Sequence, residues 1–353
     1  MMKKDLLKQL VTASSVSGDE EEVRQILKEE LAGVADEISY DGLGSFIARK
    51  GSSGPKIALV SHMDEVGFIV KHISQEGFIY FDTVGSFWSQ SLLNHRVQIR
   101  TEDGSKVLGV IGSVAPHALS ESEKQKPADI AQMFIDIGAD SYEAVLKKGV
   151  NIGDFITPEA NFAALSDDRI LGKALDNRAG CALMVELFKA FENTDATLYG
   201  VSTVQEEVGL RGAQTSVQKI EPDIAIILDT LVAGDTPNIN AIHFPLKLGG
   251  GAGIPLFDKR YLAHKKLTRA FKTLAEKLEV PLQFCTLKTG ATDGGRYNVM
   301  ASGRPVIAFT LPTRYLHANS SMISIYDYDV TKELVATFIN TYNTSTHEKI
   351  SQF

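Results

Sequence analysis

The alternation of apolar and polar positions divides the chain into three stretches. From Ser17, "SGDEEEVRQILKEELAGV" sets Val23, Ile26, Leu27 and Leu31 at helical spacing. Ser17 and Glu20 have the Ser-x-x-Glu form of a capping box, so a helix is expected to open there. "DGLGSFIARKG" then reads as a turn into a strand, and in "PKIALVSHMDEVGFIV" the run Ile57 to Val60 reads as a buried strand ending near His62 and Asp64. From about Lys71 to Ala160 the pattern shortens to "GFIYFDTVG", "HRVQIRTEDGSKVLGVIGSV" and "GDFITP", alternating segments broken by turns, as in a small β-barrel. Within it "APHALSESEKQKPAD" is polar and without period, so the 117–128 loop is expected to be exposed and mobile.

After "LSDDRILGKALDN" the α/β rhythm resumes. The segment "RAGCALMVELFKAFEN" reads as a helix with Cys181, Met184, Val185 and Phe188 on its apolar face. Three buried strands follow: "LYGVSTV" before Glu206, "DIAIILD" ending at Asp229, and "RPVIAFTLP" leading to His317. The helix "YDVTKELVATFINTYN" closes the chain. The simplest architecture is an α/β domain made from both ends of the chain, residues 1–68 and 162–353, with its mixed sheet flanked by helices. Residues 69–161 form the inserted β-barrel.

Composition narrows the function. With 353 residues, 44% of them hydrophobic, the chain can bury a substantial core. Its formal net charge is -8, and no run of Lys and Arg could track a phosphate backbone, which disfavours nucleic acid. Asp5, Lys8 and Gln9 interrupt the leading apolar residues before a signal-peptide core forms, and no stretch is apolar enough to span a membrane. Cys181 and Cys285, each among apolar neighbours, read as buried small hydrophobes without a disulfide framework; a reducing cytoplasm is expected.

Several potential metal ligands fall where strands end, the edge at which an open α/β sheet binds its ligands. His62 and Asp64 follow one strand, the pair Glu206–Glu207 a second, Asp229 a third, and His317 comes after a fourth. Asp176 precedes a helix, whose positive end favours a carboxylate. Two imidazoles and three carboxylates make a mixed donor set suited to two divalent ions, with zinc expected first and cobalt or manganese as alternatives. Such a site also needs one carboxylate left unligated to move protons, which gives a Glu-Glu pair a use.

The blocks "SHMDEVGF", "KALDNRAG", "VQEEVGLRGA", "ILDT", "GATDGG" and "TRYLH" occur in the order found in the glutamyl-aminopeptidase and TET aminopeptidase family, the forty-second family of metallopeptidases, and the chain resembles that family over nearly its whole length. The resemblance implies a phosphorylase/hydrolase-like catalytic domain, two metal ions per subunit, and a barrel used for dimerisation and assembly, often into tetrahedral dodecamers. It implies His62 and Asp229 as ligands of one metal, Glu207 and His317 of the other, and Asp176 as the bridge. Glu206 matches the general base, and Asp64 the acid that orients His62.

Arg211, Arg314 and Tyr315 are candidates for substrate contact, with structural counter-charge as the alternative for the arginines. Gly249 to Gly251 read as a substrate-adjacent turn, and His243 and His264 as surface or packing residues. Where relatives usually carry Ala-Gly-Ala after "TD", this chain has Gly294, Gly295 and Arg296, and Arg296 is a candidate partner for an acidic first residue. The expected activity is removal of single residues from free peptide N-termini. A related dimetal deacylase or carboxypeptidase is the competing reading, disfavoured by "VQEEVGLRGA" and by the absence of proline after "SHMDEVG". A two-carboxylate glycosidase would leave the imidazoles without a role, and a metal-stabilised scaffold would not need the spare base.

Overall fold

The computed structural model describes residues 2–352. An eight-stranded mixed sheet runs in the order Glu37–Tyr40, Phe46–Lys50, Thr197–Thr203, Lys56–His62, Ile224–Val232, Val306–Thr313, Ala252–Phe257 and Leu282–Thr286. The four strands from Thr197–Thr203 to Val306–Thr313 are mutually parallel. Their unbroken apolar runs suit strands covered on both faces, and their carboxyl ends share one edge.

Helices supply the cover. Ile57 and Leu59 belong to one buried cluster, with Leu175–Lys189, Lys265–Leu278 and Ile325–Thr341; Ala58 and Val60 belong to another, with Arg211–Ile220 and Gly294–Val299. This is the two-residue period of a strand packed on both sides. The helix Leu175–Lys189 crosses the sheet closely: a Cβ on Gly180 would stand 2.5 Å from the carbonyl oxygen of Leu228, beside Asp229. Glycine is required for that approach.

Six strands, Gly67–Ile73, Ile79–Val84, Phe134–Asp136, Lys106–Gly112, Arg96–Arg100 and Phe155–Pro158, close into a barrel with its own core, which includes Ile79, Ile99, Ile111, Ile135 and Ile156. Beyond it, Phe162–Ala164, Arg169–Gly172 and Ser321–Ser324 form a small antiparallel sheet. The architecture is thus the expected α/β fold with a barrel.

Details of the sequence reading change. The helix expected from Ser17 begins at Glu21, and no side-chain cap closes it. Ser17 instead donates its hydroxyl to Asp64, so the capping box at Ser17 and Glu20 is not formed. A genuine one, Ser120 with Glu123, starts the helical turn Glu121–Lys124 inside the 117–128 loop, which is otherwise exposed and irregular. An earlier helix, Lys4–Thr12, buries Leu6, Leu7, Leu10 and Val11, which the sequence shows only as apolar residues interrupted by Asp5, Lys8 and Gln9. The strands Ala252–Phe257 and Leu282–Thr286 also escape the pattern, the first because Gly253 and Pro255 weaken its strand signal.

Candidate metal centre and active site

The strand Lys56–His62 delivers His62 to the carboxyl edge of the sheet, where its ring is buried. Its Nδ1 lies 3.1 Å from the backbone carbonyl of Asp64. A carbonyl only accepts, so Nδ1 carries the proton in this contact and Nε2 is turned inward, the arrangement a metal-binding imidazole needs. That Nε2 lies 3.2 Å from Asp176 Oδ1 and 3.6 Å from Asp229 Oδ1. Asp176 presents its other oxygen to His317 Nε2 at 3.4 Å, and His317 Nε2 is also 3.4 Å from Glu207 Oε1. The Asp176 carboxylate therefore stands between two imidazoles, each with a further carboxylate beside it.

Local backbone sets these positions. Asp176 and Asn177 leave helical geometry at the start of Leu175–Lys189, and the peptide between them is cis. Asn177 then ties the bend to the sheet by donating to the Leu228 carbonyl at 2.8 Å. Gln205, Leu210, Tyr315 and His317 all have φ near +55 to +60°, a region residues with a Cβ enter rarely and mostly where function requires it. Glu206 and Glu207 occupy the turn after Thr197–Thr203. The N–H groups of Gly209 and Leu210 both donate to the Glu206 carbonyl at 2.9 Å, closing that turn before the helix Arg211–Ile220.

The second ring of contacts is buried and charged. Asp64 Oδ1 accepts from the Glu206 N–H at 3.0 Å, and Oδ2 from the Glu207 N–H at 3.1 Å and the Ser17 hydroxyl at 2.6 Å. The Asp64 carboxylate is 3.6 Å from His62 Nδ1, farther than its own carbonyl, so its closest partners are the backbone of the Glu pair and Ser17. Glu65 is enclosed by Lys173, with contacts of 2.6 and 2.8 Å, and by Arg178 at 2.8 Å. Those two cations also bind carbonyls of Leu10, Ala13 and Met63, locking the N-terminal segment to the "KALDNRAG" bend.

Charges in this cluster shift one another. Burial works against a charged His317, but the nearby carboxylates of Asp176 and Glu207 push it up to about 11. Burial likewise opposes the His62 imidazolium, and Glu206, Asp176, Asp229 and Asp64 outweigh it, raising His62 well above the usual histidine range. Burial would raise Asp176, yet its contacts with both imidazoles carry it far below the usual carboxylate range. Glu206 is pushed well up by burial and then by the charges of Glu207, Asp293 and Asp229, against the pull of His62. Burial also raises Asp293 to about 7.

The donor set fits divalent cations. Ligand atoms of His62, Asp176 and Glu207 lie within 4.8 Å of one another, and the buried Oε1 of Glu207 has His317 Nε2 at 3.4 Å but no well-formed hydrogen bond. A buried carboxylate oxygen without a well-formed bond is costly, and a cation between Glu207 and the imidazoles would satisfy it.

His62, Asp176, Glu206, Glu207, Asp229 and His317 all line one cleft of about 270 Å³. Leu210, Leu231, Pro255, Leu287, Ala291 and Leu316 make its apolar walls, and Asp258 and Arg260 add charge. Asp258 is already occupied by the N–H groups of Arg260, Tyr261 and Thr292. None of Arg211, Arg296, Arg314 and Tyr315 lines the cleft. Arg211 bonds Gln205, Arg314 forms a bidentate pair with Asp235, Tyr315 is 54% exposed, and Arg296 sits on the helix Gly294–Val299. Gly249 and Gly251 are fixed by the Asp327 carboxylate and lie outside the lining; His264 caps the helix Lys265–Leu278.

Sequence reading missed Arg260, Asp293, Ser17 and Glu20. "GATDGG" flagged Asp293 without a role; it accepts from the Thr203 hydroxyl beside the cluster. Arg260 carried no signal, because a single arginine in a turn has no period.

The chain is similar to known aminopeptidases over nearly its whole length. A family model described as M42 glutamyl aminopeptidase matches residues 44–334. The chain is 60% identical over 349 residues to a putative aminopeptidase, FrvX, of Escherichia coli (strain K12), covering 99% of this chain and 98% of that protein. It is 31% identical to a lysyl aminopeptidase of Pyrococcus furiosus, over 94% of each chain. Its fold is similar to the TET aminopeptidase of the marine sediment archaeon Thaumarchaeota archaeon SCGC AB-539-E09, with TM-score 0.95 and 38% identity over 99% of this chain and 98% of that one. It is also similar to the Pyrococcus horikoshii TET1 peptidase, which can assemble into a tetrahedron or a large octahedral shell, with TM-score 0.87 and 27% identity over 96% and 99% of the chains.

Proposed function

The chain belongs to the M42 glutamyl aminopeptidase family and is an aminopeptidase, a hydrolase of peptide bonds; from that premise we propose that it is metal-dependent, uses Glu206 as its general base, and prefers an acidic first residue. The observation that carries the reading is the Asp176 carboxylate, 3.2 Å from one inward-facing imidazole nitrogen and 3.4 Å from the other, with Glu206 buried in the same cleft. His62 and Asp229 would hold one cation, Glu207 and His317 a second, with Asp176 shared. Two bound divalent cations, zinc before cobalt or manganese for this nitrogen and oxygen donor set, would polarise the scissile carbonyl and acidify the attacking water.

The chain's own residues do the rest. Glu206 accepts the proton of the attacking water and passes it to the leaving amine. In the metal-free cluster burial and the charges of Glu207, Asp293 and Asp229 push Glu206 up, and bound cations would draw it back down so that it is ionised and able to accept a proton. Asp64 and Ser17 hold the turn on which it sits. The apolar walls exclude water from the first side chain, and Arg260, whose guanidinium has no carboxylate partner in the described contacts, offers that side chain a positive charge.

Self-association is proposed to proceed through the inserted barrel, where Trp88, Leu108, Val110 and Val114 are exposed, towards a closed shell of the kind described for the TET1 peptidase. The two cysteines, both buried and unpaired, fit a reducing cytoplasm. No helix among the described residues is long and apolar enough to cross a membrane. Hydrolysis of glutamyl and leucyl peptides, with free and with N-acetylated termini, before and after chelation and metal restoration, tests the reading. Faster cleavage of the acetylated peptides would overturn it.

A further inference from the structure

The catalytic turn is held from behind by three consecutive backbone N–H groups that point at two buried carboxyl groups. Glu20 Oε1 accepts from Gln205 at 3.2 Å, Asp64 Oδ1 from Glu206 at 3.0 Å, and Asp64 Oδ2 from Glu207 at 3.1 Å. Gln205 has φ +56°, a conformation that a side chain bearing a Cβ adopts only under restraint. Both acceptors are fixed by one short segment: the Ser17 hydroxyl donates to Asp64 at 2.6 Å, and the Gly18 N–H donates to Glu20 at 2.7 Å. Glu20 precedes the helix Glu21–Leu31 yet its side chain makes no capping bond there. Its carboxyl group, 3% exposed, is turned toward Gln205 instead. Ser17 and Glu20 both lie outside the stretch matched by the family model.

The same segment grips the barrel. Asp19 pairs with Arg100, on the strand Arg96–Arg100, and that guanidinium also reaches Glu21 at 3.0 Å and Glu22 at 3.7 Å. Lys106 adds a 2.8 Å contact to Glu22. Gly18, at φ +99°, lies against the Phe155 ring, which an added Cβ would meet at 3.3 Å. Neighbouring side chains thus face opposite ways, Asp19 to the barrel and Glu20 to the catalytic turn.

We propose that Ser17 and Glu20 are positioning residues for Glu206 and Glu207, and that the Asp19–Arg100 pair links that placement to the barrel. The proposal rests on the reading of Glu206 as general base. A small displacement of that base weakens the transition state more than substrate binding.

The test compares full-length Ser17→Ala, Glu20→Ala, Glu20→Gln and Arg100→Ala with the wild type, with Glu206→Gln as reference. Zinc-loaded Glu20→Ala is expected to lose about 10- to 100-fold in kcat with KM and bound zinc within about twofold of wild type. Glu20→Gln, whose amide oxygen still accepts from Gln205, is expected to return to within about threefold. In metal-free protein, hydrogen exchange over residues 203–210 is expected to quicken in Ser17→Ala and Glu20→Ala while residues 224–232 stay protected. Arg100→Ala is expected to show the same pattern with a loss of about threefold in kcat. Ser17→Ala removes one hydroxyl and decides the matter should Glu20→Ala fail to fold. Unchanged kcat and exchange in Ser17→Ala, or a loss confined to thermal stability, overturns the positioning role; wild-type behaviour of Arg100→Ala overturns the link to the barrel. Retained hydrolysis in Glu206→Gln would instead refute the general-base reading, and the exchange data would still decide whether the segment holds the turn.

Discussion

Asp64 Oδ1 accepts the backbone N–H of Glu206 at 3.0 Å, while its second oxygen takes the N–H of Glu207 at 3.1 Å. One buried carboxylate thereby fixes the backbone of two adjacent glutamates. This relationship would allow the pair to divide the proposed roles of base and ligand, because a turn held at both nitrogens can direct successive side chains differently without relying on strand alternation. Burial would raise Asp64; His62, Ser17 and the Glu206 N–H hold it below the usual carboxylate range, so it remains an acceptor.

Asp64→Asn tests that restraint. Asparagine keeps one acceptor oxygen but turns an NH₂ group toward donors, and a stranded buried donor costs about 1–3 kcal/mol. The expected result is a fall of about 100-fold in kcat with the chain still folded and partly metal-loaded. Turnover measured per bound metal separates this from simple loss of the cations; wild-type turnover would show that the turn holds itself.

Glu206→Gln removes the proposed base and leaves the shape. The amide cannot take a proton, so kcat is expected to fall by about 100- to 10,000-fold. Metal content and thermal stability are expected to be retained, because Glu206 is not among the proposed ligands. Activity near wild type would assign the base elsewhere.

How much of this was legible in the sequence depended on range. The strands Lys56–His62, Thr197–Thr203, Ile224–Val232 and Val306–Thr313 were readable because burial on both faces leaves continuous apolar runs. His62, Glu206, Glu207, Asp229 and His317 could be named because strand ends converge in an α/β sheet, and Asp176 because it precedes a helix; all six line one cleft. Ser17 illustrates the limit: Ser-x-x-Glu before an apolar run has the local form of a capping box, yet Asp64, remote in sequence, captures the hydroxyl. Tertiary competition of that kind has no local signature. Arg296 and Arg260 show the same gap, since which arginine reaches a cleft is decided by how two turns pack, with Gly295 lying directly against the Arg260 backbone and Cβ.

Metal loading is expected to release protons. In the metal-free protein His317 is pushed up to about 11 and His62 stands well above the usual range, while Glu206, Glu207 and Asp229 are raised too. Ligation requires neutral imidazoles and ionised carboxylates, so protons should leave as the cations enter. Raised histidines stabilise the metal-free fold fully below their unfolded value, and that contribution fades as pH climbs through the folded values. Cation binding has the opposite dependence, so the gap in Tm between loaded and metal-free protein is expected to widen from pH 6.5 to 9. Calorimetric titration in buffers of different ionisation enthalpy counts the protons, and a count of zero would contradict this picture of the ligands.

The proposed acidic preference would turn on Arg260. Two charged side chains line the cleft beside the proposed ligands and Glu206, but they are not equivalent. The Asp258 carboxylate is consumed by the N–H groups of Arg260, Tyr261 and Thr292, at 2.7, 2.7 and 3.1 Å, and attracts a basic side chain poorly. Arg260 is an exposed residue of the cleft lining, and an ion pair in open water is worth at most about 1 kcal/mol. A bound substrate would shield it from water, and a charge-assisted bond would then rise to about 1.5–3 kcal/mol. Arg260→Ala is therefore expected to lower kcat/KM for a glutamyl substrate by about 10- to 100-fold, each factor of ten being about 1.4 kcal/mol. The leucyl value is expected to stay within about twofold, since that side chain meets only the apolar walls. Arg260→Glu is expected to favour lysyl over glutamyl substrates, and Arg296→Ala to leave the ratios unchanged. An equal glutamyl-to-leucyl ratio in wild type and Arg260→Ala would remove Arg260 from substrate recognition, because no other unpaired cation among the described residues lines the cleft.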